Sequence, residues 1–182
     1  IINGILADHN GDIWMATEGG VFLFSNNTFK KFSFPDGLPI DLTYVVFEDR
    51  EKNIFVGSHT NVLSKLRRSR LKLYNTRNGL TSSWAWSIIE DKNKNIWIGT
   101  NGNGVDKISN GKITNYSTLN GLPANYIRSI GIDKYGDPWF GTNLYGICRF
   151  KNNKITVYNT KNGIAGNTIR SVYSDKKGNL WI

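Results

Sequence analysis

Tyr44, Trp86, Arg128 and Arg170 follow one another at intervals of 42 residues. Two further rows keep the same interval: Leu42, Trp84, Tyr126 and Thr168, and Asp41, Ser83, Asn125 and Asn167. Aromatic faces stack on the apolar faces of sugar rings, and Asn or Arg hydrogen-bonds hydroxyls or carboxylates. Trp84, Trp86, Tyr44, Tyr126, Arg128, Arg170, Asn125 and Asn167 are therefore candidate ligand contacts. Each row keeps one structural position while its chemistry changes, as a single asymmetric ligand touching several copies would require. The competing reading is that Trp84 and Trp86, two apart and so on one side of a strand, pack between neighbouring sheets. Nearby Val46, Ile88, Ile130 and Val172 stay apolar and read as framework.

The interval comes from an internal repeat. Trp14, Phe55, Trp97, Trp139 and Trp181 are separated by 41, 42, 42 and 42 residues. A second marker stays in phase: Asp36-Gly37-Leu38, Asn78-Gly79-Leu80, Asn120-Gly121-Leu122 and Asn162-Gly163-Ile164. One unit reads as four short strands joined by tight turns, which matches a blade of a β-propeller. Helical solenoids are excluded, because no window sustains apolar residues at helical spacing and Gly or Asn interrupts every few residues. The predicted class is all-β, a β-propeller with about 42 residues per four-stranded blade. A single domain over 1–182 is expected, with repeats at 1–41, 42–83, 84–125 and 126–167 and a partial one at 168–182, contributing the first strand of a fifth blade. Propellers close into rings of four or more blades, so an incomplete ring is expected. The anchors read as inter-blade core. The Ala or Gly two residues after them (Ala16, Gly57, Gly99, Gly141) leaves room for an aromatic from the adjacent blade.

An Asp stands six residues before each anchor: Asp8, Asp49, Asp91, Asp133 and Asp175. A hairpin whose carboxylate accepts backbone N–H groups explains it. No acidic cluster of the kind calcium loops need accompanies these turns. His9 and His59 are too few for an ordinary zinc ligand set, so neither a metal nor another cofactor is expected.

Ile127 to Thr142 with Gly146-Ile147, and Ser87 to Thr100 with Gly104-Val105, resemble the two-component regulator propeller repeat. The Asn-Gly-Leu-Pro linker fits too. The resemblance implies a seven-bladed parent that forms the extracytoplasmic sensor of a hybrid histidine kinase and detects glycans. It implies a periplasmic or extracellular location and carries over no catalytic residues. The second copy departs from the pattern: Phe55 replaces Trp, Ser58 replaces Thr, and Glu51-Lys52-Asn53 lacks the turn Gly.

The formal net charge is +9, and with Arg128 and Arg170 it favours an acidic oligosaccharide over a neutral one. Much of the positive charge lies in hairpin turns. The stretch Lys65-Leu66-Arg67-Arg68-Ser69-Arg70-Leu71-Lys72 reads as an outer hairpin with one solvated face, with an acidic glycan or membrane surface, and then nucleic acid, as the other readings. Nothing else suggests a nucleic-acid module. The one cysteine, Cys148, excludes an internal disulfide framework and reads as a small buried apolar residue. No apolar run reaches membrane-spanning length. Further blades or a second chain are expected partners. An enzyme similar to streptogramin lyases is the alternative function, with His59 and Glu18 on the ligand face; an assembly scaffold is the third. Weaker ligand candidates on that face are Asn101, Asn103, Asn143 and Tyr145.

Overall fold

A computed structural model describes residues 1–32, 42–58, 63–67, 70–175, 177 and 179–182. Asp36-Gly37-Leu38, Asp41, His59, Arg68-Ser69, Lys176 and Gly178 lie outside the described residues. The chain is all-β and forms antiparallel sheets of four strands in sequence order. The first is β1 (Ile2–Ala7), β2 (Ile13–Thr17), β3 (Gly20–Ser25) and β4 (Thr28–Phe32). The second is β5 (Thr43–Glu48), β6 (Ile54–Ser58), β7 (Leu63–Arg67) and β8 (Arg70–Tyr74). The third is β9 (Ala85–Glu90), β10 (Ile96–Thr100), β11 (Val105–Ser109) and β12 (Lys112–Tyr116). The fourth is β13 (Ile127–Ile132), β14 (Pro138–Thr142), β15 (Ile147–Lys151) and β16 (Lys154–Tyr158). β17 (Tyr173–Ser174) and β18 (Leu180–Trp181) pair with each other. The fifth copy thus supplies two short strands rather than the single one expected, because the Asp175 turn closes its first hairpin.

The Asn-Gly-Leu linkers fold as three-residue 3-10 turns. Asn75, Ser117 and Asn159 cap them, and Asn78, Asn120 and Asn162 reach back to the cap N–H. Gly79, Gly121 and Gly163 then take positive φ, between 92° and 113°, where a side chain would be strained. The Leu that follows is buried in two copies, at Leu80 and Leu122.

The chain divides into two compact units, 1–85 and 86–182. In the first, Trp14, Ala16, Val21, Val46, Ile54 and Val56 form the core between sheets one and two. Thr43 stitches those sheets: its Oγ1 donates to the Thr17 carbonyl and accepts the Thr17 N–H at 2.9 Å. In the second unit, Trp97, Val105, Ile127, Ile130, Phe140, Cys148 and Phe150 pack together. Ile147, Ile169 and Val172 form a smaller cluster against Trp139 and Leu180.

Three kinds of contact fix the tryptophan anchors, and Trp97 and Trp139 have all three. The indole N–H donates to the Asp six residues earlier: Trp14 to Asp8 at 3.0 Å, Trp97 to Asp91 at 2.8 Å, Trp139 to Asp133 at 3.0 Å and Trp181 to Asp175 at 3.1 Å. The same carboxylates accept backbone N–H groups two and four residues on, which closes the hairpin. The ring stacks on the aromatic that ends the fourth strand, Phe32, Tyr116 or Tyr158, at 5.2–5.8 Å between centroids. A cation from the third strand covers the ring in the later copies: Lys107 over Trp97 at 5.0 Å and Arg149 over Trp139 at 5.6 Å.

Sheet two shows how the pattern absorbs the loss of its Trp. Phe55 has no N–H to offer Asp49. Asn53 Nδ2 donates to that carboxylate at 2.8 and 2.6 Å, as Asn95 and Asn179 do in copies that keep the Trp, and Lys65 Nζ lies 3.5 Å away. Lys65 also sits 5.0 Å over the Phe55 ring. Lys65 therefore belongs to the anchor, not to a solvated face. β7 and β8 do form the expected hairpin, while the side chains of 67 and 70–73 lie outside the described residues.

Three expectations are corrected. Trp14 and Trp97 are buried, but Trp139 is only half-buried. Trp97 is covered by residues of the four-stranded fourth sheet, whereas Trp139 is met by the small cluster around β17–β18. The small residue after the anchor makes room for an aliphatic chain of the next first strand rather than an aromatic. A Cβ on Gly99 would come within 3.0 Å of Ile127, and one on Gly141 within 2.7 Å of Ile169. Trp181 is exposed.

Burial would raise the Asp91 carboxyl, but hydrogen bonds from Asn95, Trp97 and two backbone N–H groups outweigh it and hold the pKa below 3.8. A depressed folded pKa contributes stability that is complete above the unfolded value and is lost as pH falls through the folded one. Trp97→Ala is expected to cost about 3–5 kcal/mol. Trp97→Phe, which keeps a ring and removes the indole donor, should cost about 1–3 kcal/mol. Urea unfolding at neutral and at acidic pH checks both, and the Asp91→Asn penalty should shrink as pH falls below the ordinary carboxylate range, where the stability linked to the depressed pKa declines.

Candidate ligand-binding site

The row containing Tyr44 and Arg128 has a structural identity that the sequence concealed. In the first strands of sheets two and four the pairing register slips at this position. Thr43 pairs with Ser58 and Val45 with Gly57, leaving Tyr44 out of the ladder. Ile127 pairs with Thr142 and Ser129 with Gly141, leaving Arg128 out. Sheet one slips likewise around Asn3, between Ile2 and Gly4. A bulge re-aims the side chain of the extra residue, and Arg128 is exposed although Ile127 and Ile130 beside it are buried. Asn3 is the member of this row that sequence reading left out, although it stands eleven residues before Trp14. Its Nδ2 donates to the Thr43 carbonyl at 2.9 Å.

Arg128 and Trp86 are brought together. The guanidinium carbon lies 4.5 Å from the indole centroid, close enough for cation–π attraction. Trp86 is half-buried, so one aromatic surface and one guanidinium edge form a composite face. Next to the bulge the Ser129 hydroxyl is buried and has no hydrogen-bond partner among the described residues. Trp84 is half-buried before β9, where its N–H is held by Ser82 Oγ at 3.1 Å. Tyr44 is half-buried on β5 of the first unit. Arg170 is exposed on the irregular segment before β17.

The two candidate asparagines have work inside the fold. Asn125 Oδ1 accepts the Thr118 N–H at 2.8 Å, and Asn167 Oδ1 accepts the Thr160 N–H at 2.9 Å. Their backbone carbonyls accept Gly104 N–H at 2.8 Å and Gly146 N–H at 2.7 Å. Each thus ties its linker turn to the loop between the second and third strands, so its carboxamide oxygen is committed to the turn.

Tyr126 is exposed and bridges to Asn101 across the start of β13. Its ring lies over Gly102, and its carbonyl accepts the Asn143 N–H at 3.2 Å. The loop after β14 then exposes Leu144 and Tyr145. Leu144 takes φ 75°, where the preceding copy has Gly102 at φ 97°. A branched side chain in the left-handed region costs about 1–2 kcal/mol, and here the leucine remains in solvent. Sequence reading named Tyr145 and passed over Leu144; the signal was a leucine in place of the glycine of the copy before. Glu18 and Asn103 are exposed, and Asn101 and Asn143 half-buried.

Cys148 is fully buried among Phe140, Phe150 and Trp97, and burial pushes its thiol up to about 12. It belongs to the core, not to the site.

Residues 79–102 and 163–182 match the family model described as two component regulator propeller. Those two segments thus resemble two component regulator propeller repeats. The extracellular domain of a B. thetaiotaomicron protein named as a hybrid two component system superposes on the chain with a TM-score of 0.85 and 28% identity. That comparison covers 100% of this chain and 25% of the other. Another B. thetaiotaomicron extracellular domain, of a protein named as a one component system, gives 0.82 at 21% identity over 99% of this chain and 25% of the other. Virginiamycin B lyase from Staphylococcus aureus gives 0.79 at 20% identity, over 99% and 62%, and shares the fold. The chain thus spans about a quarter of the length of the two extracellular domains. No curated protein matches it.

The exposed Arg128–Trp86 pair should contribute little to folding, so Arg128→Ala is expected to lower stability by about 1 kcal/mol or less. Asn125→Ala and Asn167→Ala, each removing an acceptor from a linker turn, should cost about 1 kcal/mol each. Denaturant midpoints of the three variants provide the comparison. Loss of stability in Arg128→Ala larger than in both asparagine variants would assign Arg128 to the framework.

Proposed function

We propose that the chain is part of the extracytoplasmic sensor of a two-component system, a hybrid histidine kinase or related receptor, and that it binds an oligosaccharide on the periplasmic or extracellular side of the membrane. The observation that carries this reading is the superposition over the whole chain on the extracellular domain of a hybrid two component system at 28% identity, joined to the propeller-repeat match. The Trp86–Arg128 face supports an acidic sugar: the indole offers a stacking surface and the guanidinium an exposed donor pair for a carboxylate or sulfate. Tyr126, Tyr145 and Leu144 offer further exposed aromatic and apolar surface on the same unit. Arg170 stands in the same row on that unit, and Tyr44 and Trp84 are candidate contacts belonging to the first unit. A ligand-sensing module of this kind needs no catalytic groups of its own. The exposed Ile2 and Ile5 of β1, and Tyr173 and Trp181 of β17–β18, support further blades or a second chain as structural partners.

Calorimetry of the complete protein against uronic-acid-containing, sulfated and neutral oligosaccharides is the test, with Trp86→Ala and Arg128→Ala alongside the wild type. Binding of an acidic oligosaccharide should weaken at least about tenfold in each variant, as expected for loss of a stacking or charge-assisted contact. Unchanged binding in both folded variants overturns the site. Turnover of an oligosaccharide would assign an enzyme instead.

A further inference from the structure

The repeat itself supplies a measure of what is missing at the first hairpin. In sheet four the anchor turn carries two aspartates, Asp133 and Asp137. An arginine from the third strand neutralises both, with Arg149 Nη2 at 2.9 Å from one carboxylate and 2.7 Å from the other. Sheets two, three and five have Asn53, Asn95 and Asn179 in place of the second aspartate. Sheet one again has two aspartates, Asp8 and Asp12. The third-strand residue opposite its anchor is Leu23, where Arg149 stands opposite Trp139. Among the described residues the Asp12 carboxylate forms no ion pair. A carboxylate pair that takes a cation in one copy has therefore lost that cation in another.

The surroundings have changed to match. The residue after the hairpin Asp is Arg50, Lys92, Lys134 or Lys176 in the other copies and is His9 only here. Glu48 of sheet two reaches the same spot. Its Oε2 accepts the His9 N–H at 2.8 Å, and its Oε1 lies 2.5 Å from His9 Nδ1. Asp8, His9 and Glu48 each place a potential ligand atom within 4.8 Å of the others. They border a cavity of about 350 Å³ between sheets one and two, which Asp12 also lines. Lys30 and Lys52 lie on its wall. Lys30 Nζ sits 4.7 Å over the Phe32 ring, and neither lysine forms an ion pair with these carboxylates among the described residues.

We infer that this cavity is a binding site for a divalent transition-metal ion, with His9, Glu48 and Asp8 as ligands and Asp12 adding negative charge. An imidazole with carboxylates suits zinc and its neighbours better than magnesium or calcium, which favour all-oxygen sets. Tetrahedral zinc ligands stand about 3.3 Å apart at ordinary bond lengths, so small side-chain rotations bring these atoms into range. The ion takes the place of the direct contact between His9 Nδ1 and Glu48 Oε1. Two ligands come from sheet one and one from sheet two, so the ion clamps the two sheets of the first unit.

The test is calorimetry and thermal unfolding of the 182-residue chain with zinc chloride, with magnesium and calcium chloride as comparisons. Wild type should bind one zinc ion, and its Tm should rise by about 5 °C at saturating metal. Magnesium and calcium should leave Tm unchanged. His9→Lys installs the residue type of the other copies, and Glu48→Gln removes one carboxylate; each should weaken zinc binding at least about tenfold. Leu23→Arg restores the guanidinium of sheet four and should raise the metal-free Tm while reducing the zinc response. No zinc binding by wild type at about 1 mM, equal response to all three metals, or binding unchanged in His9→Lys and Glu48→Gln would overturn the site. The last result would place the ion elsewhere, His59 being the other imidazole of the chain.

Discussion

The hydrogen bond from an anchor indole to the aspartate six residues earlier is the constraint on which the remaining structure depends. One carboxylate does two jobs. It satisfies the N–H groups of a tight hairpin, and it fixes the rotation of the largest side chain in the sheet. Once the indole is aimed, the aromatic at the end of strand four stacks on it, and in the later copies a third-strand cation sits over it as well. The first strand of the next sheet packs close to the small residue two places on. A buried carboxylate is costly unless its lone pairs are filled. The hydrogen bonds that hold the Asp91 and Asp133 carboxyls below their ordinary value are the same ones that hold the ring.

That economy explains how the copies vary. Sheet two loses its Trp, and Lys65 stands beside the carboxylate that the indole no longer reaches. Sheet four gains a second aspartate, and Arg149 answers it. Sheet one has the second aspartate but leucine in place of the arginine, and a histidine and a glutamate gather there instead. Sheet four meets its added acceptor with an added donor, because an uncompensated charge between packed sheets destabilises both, and sheet one lacks that answer. The candidate ligand face obeys a different logic. Its residues sit at bulges and loop ends, where side chains leave the ladder and can vary without disturbing the anchor.

Much of the fold was legible in the sequence. The anchors and the Asn-Gly linkers keep strict phase, so the all-β class, the strand order and the hairpins follow from local chemistry repeated at a fixed interval. Side chains alternate between the faces of a strand, turns favour Gly or Asn at positive φ, and an Asp before a turn caps it. The six-residue spacing of Asp and Trp was visible too, but its meaning was not, since a backbone-capping Asp and a core Trp each had a sufficient separate explanation. The candidate site was legible only in part. Position eleven before the anchor could be singled out by its variation, and the Trp86–Arg128 pair emerged from that row.

The sequence by itself determined the repeat, the blade-like unit, the burial of Cys148 and the positions free to vary, because all of these are set by residue type within one copy. Only the tertiary structure decided that Arg128 and Tyr44 are bulged out of their strands and that Asn125 and Asn167 are committed to the linker turns. It alone brought His9 and Glu48, 39 residues apart, to one cavity with Asp8 and Asp12. Register slips and contacts between sheets depend on how two copies meet, and that meeting is governed by packing between residues distant in the chain.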